Sequence, residues 1–149
     1  MQVKKSIEIQ AAAERIWPYL IDPDKILLWC ITFREFRYTG EQHSGVGTGI
    51  FIEEKATGPV MNMDFSVTEW AENEVVTLKK VSGSMPKNYE QRWHIETHNG
   101  DSKFTFFEEI QMPWGFIGKF IESIGQGASE RTVDEMLQIL KRLVEEEEP

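Results

Sequence analysis

Residues 3–23 run Val3-Lys4-Lys5-Ser6-Ile7-Glu8-Ile9-Gln10-Ala11-Ala12-Ala13-Glu14-Arg15-Ile16-Trp17-Pro18-Tyr19-Leu20-Ile21-Asp22-Pro23, and their hydrophobic period changes halfway. Val3, Lys5, Ile7 and Ile9 share one face, with Lys4, Ser6, Glu8 and Gln10 on the other. A period of two predicts a strand with one buried side. From Ala11 the spacing becomes helical: Ala13, Trp17 and Ile21 fall four apart, as do Ile16 and Leu20. Pro18 inside that helix removes a donor and predicts a bend. Asp22-Pro23 then supplies an N-cap and a proline at the first helical position, opening a second short helix to about Trp29.

After Cys30 the period of two returns. Phe33 to Tyr38 is strand-like, the glycine-rich stretch Gly40 to Gly49 turns the chain, and Ile50-Phe51-Ile52 continues as a strand. Beyond the Thr57-Gly58-Pro59 turn, Met61, Met63, Phe65 and Val67 alternate with polar residues, as in a half-buried strand. Ala71-Glu72-Asn73 turns into Val75 to Leu78, and Ser82 to Lys87 forms a longer loop. Tyr89, Gln91, Trp93 and Ile95 share a face, and Phe104, Phe106, Glu108, Ile110 and Met112 share another. Between them Asn99-Gly100 is a hairpin signal, because both central residues of a type I′ turn need positive φ. Turns this short predict antiparallel neighbours.

From Pro113 the period is helical to the end. Phe116, Phe120, Ile124 and Ala128 form one row; Val133, Met136, Leu137, Leu140 and Val144 form a second. Gly118, Gly125 and Gly127 weaken the front half and predict a break or bend near Gly125, with the firmer helix from about Ser129 to Glu146. The fold class is therefore α+β, in the order β-α-α-β-β-β-β-β-β-α.

Composition narrows the function classes. The 149 residues suit one domain (1–149) with a real core, and no repeat or flexible linker divides them. Net charge is −9, of which Glu145 to Glu148 supply four, leaving −5 for the rest. That balance argues against a nucleic-acid or anionic-membrane partner, either of which needs a basic surface. No run approaches about 18 consecutive apolar residues, so stable membrane insertion is not expected. Met1 to Lys5 is positive but lacks an apolar stretch behind it, unlike a signal peptide. The single Cys30 excludes an internal disulfide and fits a reducing, cytoplasmic setting. The acidic end, residues 145–149, is expected to be a mobile, solvated tail.

The opening strand, its small-residue turn, Glu14-Arg15-Ile16-Trp17 and Asp22-Pro23 resemble the start of the START-like, or polyketide cyclase/dehydrase (SRPBCC), superfamily. Trp29, the Gly45-Val46-Gly47-Thr48-Gly49 turn and the closing Leu140-Lys141-Arg142-Leu143 also resemble it. The resemblance implies the helix-grip fold, a curved antiparallel sheet of about seven strands wrapped around a long C-terminal helix. It also implies binding of a small hydrophobic molecule such as a lipid, isoprenoid or polyketide. An apolar pocket of ordinary size would run about 300–1,000 Å³. The expected lining is Met61, Met63, Phe65, Trp93, Ile95, Phe104 and Phe106, all of which could equally pack the core. Gln91 could orient a ligand's polar end. Trp114 and Phe116 could form the pocket mouth and Ile124 its wall, while Phe120 is expected to pack onto the sheet.

Glu108 is the candidate for chemistry. Strict alternation between Phe106 and Ile110 would aim its carboxyl inward, where burial raises a pKa toward general acid or base work. A bulge would instead turn it to water. No metal and no cofactor is implied. His94 and His98 lie about 13 Å apart on a strand, His43 is isolated, and paired cysteines are lacking. Gly45-x-Gly47-x-Gly49 precedes a strand pattern, whereas a phosphate-cradling loop must open a helix. Three function classes stand at this point: a carrier or sensor of an apolar ligand, a cyclase or dehydratase using Glu108, and a protein-interaction module. The third predicts a filled core with an exposed apolar patch.

Overall fold

The computed structural model describes residues 1–147, apart from the side chain of Phe116. Strand β1 (Gln2–Ile9) is followed by α1 (Ala13–Ile16), α2 (Pro18–Ile21) and α3 (Pro23–Trp29). Then come β2 (Phe33–Tyr38), β3 (Gly49–Glu54), β4 (Met61–Ala71), β5 (Val75–Ser82), β6 (Asn88–His98), β7 (Asp101–Gln111) and α4 (Gly115–Glu146). Pro18 does more than bend the expected first helix. It splits the segment into α1 and α2, so three helices separate β1 from β2 rather than two. Asp22 caps α3 as its position suggests, its side chain accepting from the Asp24 amide at 3.0 Å.

The seven strands form one antiparallel sheet in the order β1-β7-β6-β5-β4-β3-β2. β6 and β7 are a long hairpin, and Asn99 (φ 50°) and Gly100 (φ 87°) adopt the left-handed conformations of its turn. The pairing register slips between Phe33 and Glu35, between Asp64 and Phe65, and between Val67 and Glu69. Such bulges add bend and twist, which curls the sheet around α4. Its concave face carries the inward residues of every strand, and Val133, Met136, Leu137, Leu140 and Val144 of α4 are buried against it.

Of the break or bend expected near Gly125 in α4, the structure shows no break. Gly118 has a packing role: a Cβ there would lie 3.1 Å from the Met112 carbonyl oxygen, so glycine lets the helix start close to the end of β7. At the acidic end, Glu146 and Glu147 are exposed, and contacts tie the last turn to the rest of the chain. Glu145 accepts from the Gln10 amide and Lys141, each within 2.8 Å, and Arg15 donates to the carbonyls of Val144 (2.7 Å) and Glu147 (2.8 Å). A cation at a helix C-terminus satisfies carbonyls that have no helical partner. Glu148 and Pro149 lie outside the described residues.

Candidate ligand site

Glu108 points inward, as its place between Phe106 and Ile110 suggests, and is only 8% exposed. It belongs to a buried polar cluster drawn from three strands. Gln91 on β6 stands directly across from Glu108 on β7, and its Nε2 donates to Glu108 Oε1 at 3.0 Å and to the Tyr89 hydroxyl at 2.8 Å. Trp93 Nε1 in turn donates to Gln91 Oε1 at 3.0 Å, fixing the orientation of that amide. The Tyr89 hydroxyl lies 2.8 Å from Glu108 Oε1 and 2.7 Å from Oε1 of Glu54, on β3. Thr32 donates to Glu54 Oε2 at 2.6 Å.

Hydrogen-bond arithmetic constrains the protonation of this cluster. The Tyr89 hydroxyl has a single proton, which it can donate to only one of the two carboxyls. The other contact is a hydrogen bond only if its carboxyl carries a proton and donates to the phenol oxygen. The pair therefore holds one proton between two acids, as expected for like groups that cannot both ionise at close range. Glu54 is the better placed carboxylate, with Thr32 and Tyr89 as donors. Burial pushes its pKa upward and those two donors oppose the shift. Glu108 is pushed from 4.5 up to about 7, first by burial and then by Glu54. Burial, followed by the same two carboxyls, holds the Cys30 thiol well above its ordinary range.

Between the cluster and α4 lies a cavity of about 80 Å³, whose walls include Met61, Phe106, Ile110 and, from α4, Ala128, Thr132 and Met136. Glu108 Oε2 makes no hydrogen bond among the described residues. Since no fully buried polar atom there lacks a partner, this oxygen reaches the cavity. A wider cleft of about 250 Å³ lies at the surface where β1, β7 and the start of α4 meet, away from the carboxyl pair.

Of the expected site residues, Met61, Gln91, Phe106 and Glu108 line the cavity together. Met63, Phe65, Trp93, Ile95 and Phe104 are buried in the core and do not line it. The reason is Trp29, whose ring meets those of Trp93, Phe104 and Phe106 edge-on at 5.3, 5.7 and 6.3 Å. That aromatic packing occupies the concave face beside the cavity, whose volume of about 80 Å³ stays below the expected size. Trp114 and Ile124 also stand outside the cavity, 49% and 70% exposed, and Phe120, expected to pack on the sheet, is 63% exposed. The front half of α4 is tied to the ends of β1 and β7 through Gln126 and Glu122, while Phe120 and Ile124 face outward. The Phe116 side chain lies outside the described residues.

Glu54 is the functional candidate that pattern reading missed. It shares the parity of Ile50 and Ile52, both buried, and that signal was available. Its meeting with Tyr89 was not. In sheet order β3 and β6 are separated by two strands, a spacing of about 14 Å in a flat sheet. The curl of the sheet brings their side chains within hydrogen-bond distance.

A curled sheet gripping one long helix, with a partly polar cavity between them, defines a START-like hydrophobic ligand-binding domain. Over residues 1–145 the chain matches the family described as polyketide cyclase / dehydrase and lipid transport, and it belongs to that family. No protein of curated function matches the sequence significantly. Among solved structures, the TTHA0849 protein of Thermus thermophilus superposes with a TM-score of 0.79 at 15% identity, over 97% of both chains. A START superfamily protein from Mycobacterium smegmatis gives 0.76 at 16% identity, again over 97% of both. The Aha1 protein of Colwellia psychrerythraea, described in solution as a dimer, gives 0.66 at 19%, over 98% of this chain and 97% of that one. Identities this low show a shared fold alone.

Proposed function

We propose that the domain binds or carries a small, largely apolar molecule of lipid, isoprenoid or polyketide type in the cytoplasm, without chemistry of its own. The polar end of the ligand sits against Glu108 and Gln91, and Met61 and Phe106 pack beside it. The observation that supports this most is the continuity of the cavity with an exposed apolar face. Phe120, Ile124 and Ala128 follow at intervals of four along α4, so they are neighbours on one helix face. Ala128 lines the cavity, while Phe120 and Ile124 are exposed. A cavity of about 80 Å³ accepts a head group, and this helix face offers a surface for the rest of the molecule. Among the described residues no helix is long and apolar enough to cross a membrane.

The test is native mass spectrometry of the purified protein, followed by solvent extraction and uptake of an apolar fluorescent dye. A discrete bound mass lost on denaturation is expected, with dye uptake weakened by Ile124→Asp. A protein that carries nothing, and takes up no dye, would refute the carrier reading. Two rivals have specific support. The exposed row on α4 and the small cavity favour a protein-interaction module, which predicts an empty protein that binds a protein through that row. The carboxyl–phenol cluster favours an acid–base enzyme, which predicts conversion of the extracted ligand and loss of that conversion in Glu108→Gln.

A further inference from the structure

The carboxyl pair restricts what the head group can be. Tyr89 and Gln91 spend their donor protons inside the cluster, so what the cluster offers the cavity is an acceptor, Glu108 Oε2, with the neutral hydroxyls of Ser129 and Thr132 on the facing wall. The charged and titratable groups around it can be named element by element. β3 brings Glu54, β6 brings Tyr89, β7 brings Glu108, and the segment after α3 brings Cys30. From the β1 end the Met1 ammonium acts on Glu108, but it is engaged by the Ile110 carbonyl oxygen at 2.8 Å and by Glu122 at 3.4 Å. The wall that α4 contributes is uncharged: Ala128, Ser129, Thr132, Val133 and Met136. Two acids therefore share one proton at the end of a partly polar cavity, and among the described residues no lysine or arginine lines it.

We infer that the cavity selects an amphiphile whose head is a protonated amine, docked on Glu108 Oε2, and that it rejects carboxylate and phosphate heads. The inference rests on the proposed function, since it specifies the ligand of that same site. An ammonium supplies the donors that the free carboxyl oxygen lacks and the positive charge that the pair lacks. An anionic head would bring a third acid into a low-dielectric space, where like charges repel strongly. The net charge of −9 favours the approach of cations over anions as well. Bound beside the pair, the cation favours full ionisation of both carboxyls, so docking releases part of a proton to solvent.

The experiment compares octylammonium, octanol and octanoate by calorimetry at pH 7, in two buffers of different ionisation enthalpy. Octylammonium is expected to bind at least about tenfold more tightly than octanol, with octanoate weakest, as a charged hydrogen bond commands. Only the amine should release protons, up to about half an equivalent at pH 7. In Glu108→Gln the amine should fall to within about threefold of octanol and the proton release should vanish. Glu109→Gln, which removes the neighbouring exposed charge, should leave the preference intact. Equal binding of all three, tighter binding of octanoate, or the same loss in both variants would overturn the inference while leaving the carrier reading in place. Binding of none of the three would overturn both. The ranking and the proton release are read on the unaltered protein, so the test survives a variant that fails to fold.

Discussion

Replacing Glu108 with Gln tests the shared proton through stability. Gln keeps the shape of the side chain and an oxygen to accept from Gln91, but it cannot ionise. In the folded protein burial and Glu54 raise the Glu108 pKa from 4.5 to about 7. Between those values the native state retains a proton that the unfolded chain has lost. Stability therefore falls as pH rises through this window, is complete below about 4.5, and levels off above about 7. At about 1.4 kcal/mol per unit of pKa, the unaltered protein should lose on the order of 3 kcal/mol from this group between roughly pH 4 and pH 8. Gln at position 108 has nothing to lose. Urea unfolding of both proteins across that range isolates the carboxyl pair, because groups outside it contribute alike to both curves. The expected result is a difference in midpoint that grows with pH by about 1 M urea or more in favour of Glu108→Gln. Parallel curves would refute the buried, proton-sharing pair.

Gly83 holds φ at 125°, and a Cβ there would lie 2.7 Å from the Asn62 carbonyl oxygen, so Gly83→Ala should cost about 1–3 kcal/mol. Gly58→Ala, which meets open space, should leave the thermal midpoint nearly unchanged. Cys30 is fully buried and its thiol is held well above the ordinary range. It should therefore stay unreactive toward an aromatic disulfide reagent at pH 8 and titrate one equivalent in urea. Arg15→Ala removes two charged hydrogen bonds to the end of α4. Amide exchange should accelerate in the last turn of that helix, with a loss of about 1–3 kcal/mol. Unchanged exchange there would show that the α4 terminus is held by other contacts.

Much of the fold was legible because a single rule, the hydrophobic period, applies to each element separately. The alternation of β1, β4, β6 and β7 and the Asn99-Gly100 turn reappear in the structure, as does the cap at Asp22. The rule misleads where burial depends on the neighbour. Phe120 and Ile124 have a core-like spacing, yet they lie on the face of α4 turned away from β1 and β7 and remain exposed. The acid run near the C-terminus reads as a solvated tail, yet Arg15, Lys141 and the Gln10 amide meet it. Those partners are more than a hundred residues away, except Lys141, and no local pattern announces them.

The candidate site divides in the same way. That Glu108 and Gln91 face inward follows from the parity of their strands, and Glu54 obeys the same parity beside Ile50 and Ile52. Their convergence on one tyrosine hydroxyl depends on how tightly the sheet curls, which bulges and the packing of α4 set together. So does the size of the cavity, because Trp29 from α3 occupies the space that the concave face encloses. The direction of a side chain relative to its own strand is a local property of the backbone, and a sequence records it. Distances between strands that are not adjacent, and the volume left between a sheet and a helix, are sums over the whole chain, and only the tertiary structure decides them.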